Sequence, residues 1–159
     1  MENPLLELQE YENLREALKR AKGPVQATGT LDSQKVPLRF WLGKDGGFPW
    51  KLVVTYDDQR AREIYDDFRS FTENVWLYPA KDLLFYSADI HGNLMTRQRI
   101  AVWRHLMEEK EGVVVTTLDG LMDHLLPLVF LKQQAVTVEN GQIMDLDEWK
   151  ERLTALGYE

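Results

Sequence analysis

The chain has 159 residues, of which 44% are apolar and 28% charged, a balance that is typical of one globular domain and excludes a disordered or low-complexity segment. It has no cysteine, which excludes disulfide bonds, thiolate zinc sites and cysteine catalysis. A net charge of -7 has the wrong sign for a domain whose main task is to bind nucleic acid, and the lack of a long apolar run predicts a cytoplasmic protein with no membrane association.

The first third of the chain predicts two helices and a loop between them. Apolar residues recur every three or four positions from Pro4 to Lys22, and Gly23-Pro24 should end this helix. The apolar run Val25 to Thr28 is predicted as a short strand that leads into a loop at Gly29. A second helix is predicted from about Ser33 to Leu42, with a loop at 46–49 after it.

The middle of the chain alternates between strand and helix patterns, joined by short connections. The predicted strands are 51–56, 75–78 and 113–116, with a short extended piece at 83–86 and an irregular stretch at 87–92. The predicted helices are 61–71, 93–110 and a last one that Thr117 caps and that runs to Leu126. This alternation predicts an α/β fold of three layers, with a parallel sheet covered by helices on both faces.

The last segment has a different sequence pattern from the rest of the chain, which predicts a second domain. Ala135 to Val138 is predicted as a strand, and Asn140-Gly141 is typical of a tight turn. Asp145 and Glu148 form a capping box that should open a helix, which Gly157 should end. We therefore expect one domain over 1–131 and another that begins at 132–159, with its strand outside the main sheet.

Residues Gly29 to Val36 partly match the phosphate-binding pattern G-x-x-x-x-G-K-S/T. Gly29 and Lys35 fit, but Gln34 replaces the second glycine and would crowd the phosphates, and Val36 has no hydroxyl for magnesium. Asp32 would also place a negative charge beside a triphosphate. A chance match, a degenerate loop and a working loop in an aberrant nucleotide-binding enzyme are all compatible with the pattern, but we expect no bound nucleotide or other cofactor.

Three other polar sets resemble catalytic or metal-binding groups. Asp57-Asp58 follows a strand as a magnesium-binding pair would, but capping of the next helix is the favoured interpretation. Ser87, Asp89 and His91 have the residue types of a hydrolase triad but lack a G-x-S-x-G elbow. Because the histidines also lack metal-ligand spacing, we predict neither a catalytic residue nor a metal site.

Arg99 lies on an apolar helix stripe, where a charged side chain needs a partner. Its neighbours on the stripe are Met95, Val102, Trp103 and Leu106. A structural role would tie its guanidinium to carbonyl groups or to a carboxylate, with Asp82 and Asp89 as candidates. The alternative is an interface role, in contact with a partner or another domain.

The region from Leu77 to Pro127 resembles the N-terminal region of bacterial transcription-repair coupling factors. The resemblance rests on Tyr78-Pro79-Ala80, Asp82 to Tyr86, Ser87 with His91, Gln98-Arg99-Ile100 and Gly112 to Met122. These are similar to the family's "FPAWDTLPYE" segment, "SPH" turn, "QRL" helix and "VVTTVxALL" joint, although Lys81 and Leu84 stand where the family prefers Trp and Pro. The loop at Gly29 to Val36 and the closing Leu153 to Glu159 fit the same family.

This resemblance implies a degenerate RecA-like, P-loop-type lobe related to UvrB, acting as a non-catalytic module in transcription-coupled excision repair. The family carries an inserted UvrA-binding domain, which would begin near residue 132 and be incomplete in this chain. ATP-dependent translocation and the contacts with RNA polymerase and DNA belong to downstream parts of the family's proteins. We therefore expect an interaction or regulatory function with no catalysis.

Overall fold

The computed structural model describes residues 2–80, 89–122, 129, 141 and 145–155. Its strands are β1 (Trp50–Thr55), β2 (Val75–Tyr78) and β3 (Gly112–Thr117). Its helices are α1 (Gln9–Arg20), α2 (Asp32–Asp45), α3 (Asp58–Arg69), α4 (Asp89–Glu108), α5 (Leu118–Leu121) and α6 (Leu146–Ala155). Among these helices, none combines the length and the apolar character that crossing a membrane requires.

The three strands form a parallel sheet in the order β1-β3-β2. In the register, Lys51 of β1 and Val75 of β2 both lie opposite Val113 of β3. Every residue of β3 is buried, as expected for a central strand covered on both faces, and its run of three valines suits such a position.

Helices pack on both faces of the sheet, which gives the predicted α/β layers. On one face, Val36 of α2 and Ala61, Ile64 and Phe68 of α3 pack against a core that includes Val115. On the other face, Val102 of α4 packs in a cluster with Tyr78 and Val114. The strands predicted at 51–56, 75–78 and 113–116 are therefore confirmed, with small changes at their ends.

The N-terminal segment is tied to the end of α2 by three polar side chains. The Tyr11 hydroxyl donates to Asp45 Oδ2 at 2.7 Å, and Asn3 Nδ2 donates to the same oxygen at 2.7 Å. Tyr11 is buried. Burial and the hydrogen bond to Asp45 raise the pKa of the Tyr11 hydroxyl to about 12, because both disfavour its ionised form.

Several sequence-based element assignments are wrong. The helix predicted to run to Leu126 ends at Leu121, with Met122 as its C-cap. The first helix begins at Gln9 and not at Pro4, because the Asn3 side chain accepts a hydrogen bond from Leu5 N at 2.8 Å and closes a separate turn. Val25 to Thr28 forms no strand. Residues 89–92, predicted to be irregular, form the first turn of α4. The predicted extended piece at 83–86 lies outside the described residues.

The chain separates into two compact units, 1–123 and 124–159. In the second, α6 begins where the capping pattern predicts, and Asp145 Oδ1 accepts a hydrogen bond from Asp147 N at 2.9 Å. The predicted strand at 135–138 and the end of the helix at Gly157 lie outside the described residues. The division into domains at 131/132 therefore stays a prediction.

Candidate functional site

The loop that resembles a phosphate cradle leads directly into α2. Gly29 has φ of +80°, a backbone conformation that glycine adopts without strain. Gln34 then closes the start of the helix, because its Oε1 accepts from Leu31 N at 3.2 Å and its own N–H donates to Leu31 O at 3.0 Å. At the position where a phosphate loop has glycine, this chain therefore has a side chain that caps the helix.

Lys35 forms an ion pair with an acidic residue of its own helix. Its Nζ lies 2.6 Å from Asp32 Oδ1, and Arg60 Nη2 lies 3.6 Å from the same oxygen. The hydrogen bond from Lys35, together with the charges of Lys35 and Arg60, lowers the pKa of Asp32. The lysine that would contact phosphates in a working loop thus forms an internal ion pair.

The loop residues do not converge on one cavity. Gly29 and Gln34 line an apolar groove of about 570 Å³, together with Leu8 and Tyr11 from the N-terminal segment. Lys35 lines a different groove of about 740 Å³. Val36 is buried in the core, so no side chain at this position reaches either groove.

The second groove lies where β1 ends, and we call it the β1-end groove. Its lining residues include Asp32, Lys35, Arg39, Tyr56, Arg60 and Leu118. Arg60 Nη1 donates to Glu63 Oε2 at 2.8 Å. Arg39 and Arg60 were not identified from the sequence, although the spacing of Lys35 and Arg39 by four residues was a signal that they share a face of α2.

Arg39 differs from the other two cations of the groove. No carboxylate of the described residues lies within ion-pair distance of it. Desolvation and the nearby charge of Arg60 lower the pKa of its guanidinium. Both effects act against the charged form. Among the described residues that line the groove, Arg39 is thus a cation without an ion-pair partner.

The other polar candidates have different outcomes. Asp57 caps α3, because its Oδ1 accepts from Arg60 N at 2.6 Å, which confirms the capping interpretation for this residue. Asp89 and His91 lie in the first turn of α4, and Ser87 lies outside the described residues. Within the described part of the chain, no group of three histidine or acidic side chains could hold a metal ion.

Arg99 lies on α4, and its side chain reaches the carboxyl end of β2. It is 7% exposed, its Nη1 donates to Pro79 O at 3.1 Å, and its guanidinium lies 4.4 Å from the centre of the Tyr78 ring. The contact with a carbonyl is of the type that a structural role requires. The proposed pairs with Asp82 and Asp89 concern side chains outside the described residues, and the choice between a structural and an interface role stays a prediction.

The polar contacts around Arg99 continue onto β3. The Thr116 hydroxyl donates to Tyr78 O at 2.8 Å, and Thr117 Oγ1 accepts from Gly120 N at 3.2 Å. A Cβ at Gly120 would collide with Thr116 Oγ1. The cap at Thr117, predicted from the sequence, is therefore confirmed, and glycine is the only residue that fits at 120 without displacing Thr116.

Comparisons with curated proteins found transcription-repair-coupling factors that are similar to this chain. The chain is 24% identical over 109 residues to a transcription-repair-coupling factor of Staphylococcus haemolyticus, an alignment that covers 67% of this chain and 9% of the relative. The same identity and coverage hold for transcription-repair-coupling factors of Staphylococcus aureus and Staphylococcus epidermidis. No family model and no solved structure matches the chain.

These matches indicate a distant relation between this chain and a region of transcription-repair-coupling factors. The matched part is only 9% of the length of each of these curated relatives, so this chain spans a small part of them. The resemblance found in the sequence motifs is thus confirmed at the level of a distant relation.

Proposed function

We propose that the chain is a non-catalytic interaction and regulatory module that acts in transcription-coupled nucleotide excision repair in the cytoplasm. The distant relation to transcription-repair-coupling factors supports this role. The lobe would be a degenerate RecA-like fold related to UvrB, in which the phosphate loop has lost its chemistry.

One observation carries the non-catalytic part of the proposal. The four diagnostic residues of the loop have separate structural roles: Gly29 and Gln34 line an apolar groove, Lys35 pairs with Asp32, and Val36 packs in the core. A nucleotide needs the backbone, the lysine and the hydroxyl to meet at one phosphate group. This arrangement therefore supports a lobe that binds no nucleotide.

Titration with ATP and magnesium, followed by tryptophan fluorescence, tests this part. We expect no saturable change at ATP concentrations up to about 1 mM, because a competent loop would bind near or below about 10 μM. The Lys35→Ala variant is the matched control, since specific binding through the loop must weaken when Lys35 is removed. Saturable binding below about 10 μM that this substitution abolishes would instead favour the aberrant nucleotide-binding enzyme.

The second unit carries the proposed contact with UvrA. Residues 132–159 would correspond to the opening of the family's inserted UvrA-binding domain, while RNA polymerase and DNA would contact other parts of a transcription-repair-coupling factor. We expect any UvrA binding by these 159 residues, measured by biolayer interferometry, to depend on residues 132–159. Equal binding by residues 1–131 alone would contradict this assignment.

A further inference from the structure

The β1-end groove combines one uncompensated cation with exposed apolar side chains. The other two cations are paired within the groove, Lys35 with Asp32 and Arg60 with Glu63. Arg39 has no carboxylate partner among the described residues. The groove thus has a local charge of opposite sign to the chain's net charge of -7.

The apolar part of the groove is unusually open to solvent. Tyr56 is 79% exposed, Leu118 is 60% exposed and Val54 is 44% exposed, and all three line the groove together with Arg39. Val54 lies in β1, Tyr56 follows β1 directly and Leu118 begins α5 directly after β3, so we expect little ordering of the backbone when a ligand binds.

We propose that the β1-end groove is a docking site for a segment of a partner protein that presents a carboxylate to Arg39 and apolar side chains to Val54, Tyr56 and Leu118. Arginine is suited to this because its planar guanidinium can form two parallel hydrogen bonds with one carboxylate. The inference rests on the proposed function, in that it treats the lobe as an interaction module.

The same chemistry argues against a nucleic acid as the ligand. A phosphate backbone needs several uncompensated cations along its path, whereas this groove has one and also contains the carboxylates of Asp32 and Glu63. A single carboxylate beside apolar groups matches both the charge and the exposed surface. An acidic and apolar peptide segment is therefore the ligand class that fits.

Selection from random twelve-residue peptides displayed on phage tests the proposal on the full chain. We expect the selected peptides to contain Asp or Glu next to a large apolar residue. Their affinity should fall at least about tenfold for Arg39→Gln, which removes a charge-assisted hydrogen bond. The control Arg62→Gln changes an exposed cation on α3 that does not line the groove, and it should retain the affinity.

A double variant, Tyr56→Ser with Leu118→Ser, tests the apolar half and keeps the test open should Arg39→Gln fail to fold. Selection that yields no acidic peptides, or peptides insensitive to both variants, would overturn the docking site. Competition by ATP or by a single-stranded oligonucleotide distinguishes a failure of the docking site from a failure of the proposed function. Displacement of the peptide by ATP would contradict the proposed function as well, displacement by the oligonucleotide would contradict the peptide as ligand, and a failed selection alone would contradict only the docking site.

Discussion

Arg99 and Arg39 belong to the same compact unit, but they differ in burial and in the polar groups around them. Arg99 is buried, donates to the carbonyl of Pro79 and lies over the ring of Tyr78. Arg39 lies on the exposed side of α2, and among the described residues no carboxylate pairs with it. Because both residues are arginines, any difference between their roles must come from their burial and their contacts.

We expect this contrast to distinguish a cation that stabilises the fold from a cation that remains available to a ligand. A buried charge is stable only if its polar partners are in place, so removing it should lower stability and leave surface contacts intact. A largely exposed charge without an ion-pair partner adds little to stability, because water still solvates part of it. Its removal should affect binding and leave the fold unchanged.

The largest effect is expected for Arg99→Ala. The substitution strands the carbonyl of Pro79 and removes the contact with Tyr78 and the packing of the arginine stem, at a cost of up to about 3 kcal/mol. The melting temperature should fall by several degrees, measured by circular dichroism. The control Arg97→Ala removes an exposed arginine two residues earlier on α4 and should leave the melting temperature unchanged. Equal effects of the two substitutions would break the contrast between buried and exposed cations.

The next effect concerns a partly buried hydrogen bond that involves no cation. Tyr11→Phe removes the hydroxyl that donates to Asp45 at 2.7 Å and should cost about 1.5 kcal/mol. Because the folded-state pKa of Tyr11 is raised to about 12, its contribution is fully present below pH 10. It should be lost as the pH rises from about 10 to about 12.

Urea unfolding at several pH values would measure this loss. The difference between the original protein and Tyr11→Phe should be constant up to about pH 10 and should shrink above it. Tyr56→Phe is the control, because the Tyr56 side chain is exposed. A difference that does not shrink above about pH 10 would contradict the raised pKa of the Tyr11 hydroxyl.

A smaller effect is expected for the cap of α5. Thr117→Val keeps the shape of the buried side chain but removes the oxygen that accepts from Gly120 N at 3.2 Å, which should cost about 1 kcal/mol. Thr117→Ser keeps the acceptor and should cost less. If valine and serine were equally destabilising in denaturant unfolding, packing rather than the hydrogen bond would explain the role of Thr117.

Local patterns predicted much of this fold because the interactions that create it are local. The caps at Asp57, Thr117 and Asp145 are formed with backbone groups two or three residues away, so their sequence spacing is sufficient to find them. The valine-rich run of β3 also predicted a buried strand, since β-branched apolar residues suit a strand that is covered on both faces.

The element assignments were wrong where contacts between residues far apart in the sequence determine the local structure. The start of α1 depends on Asn3, whose side chain closes a turn at Leu5 and also contacts Asp45, 42 residues away. Val25 to Thr28 has an apolar composition, but a strand forms only where a partner strand accepts its hydrogen bonds. In the same way, the β1-end groove could not be predicted, because Arg39 and Arg60 come together only when α2 packs beside α3.

The smallest effect on stability is expected for Asp32→Asn, which tests whether an exposed charge contributes little to the fold. Asp32 pairs with Lys35 on the surface, and exposed ion pairs contribute little to stability, so the melting temperature should not change. The substitution also releases Lys35 and removes the negative charge beside the loop.

If the ion pair between Asp32 and Lys35 alone prevented nucleotide binding, Asp32→Asn should gain affinity for ATP in the fluorescence titration. We expect no gain, because Gln34 still caps α2, Val36 still packs in the core and Gly29 still lines a different groove. Tight ATP binding by Asp32→Asn, lost again in Asp32→Asn with Lys35→Ala, would mean that the loop is a blocked nucleotide site and not a degenerate one.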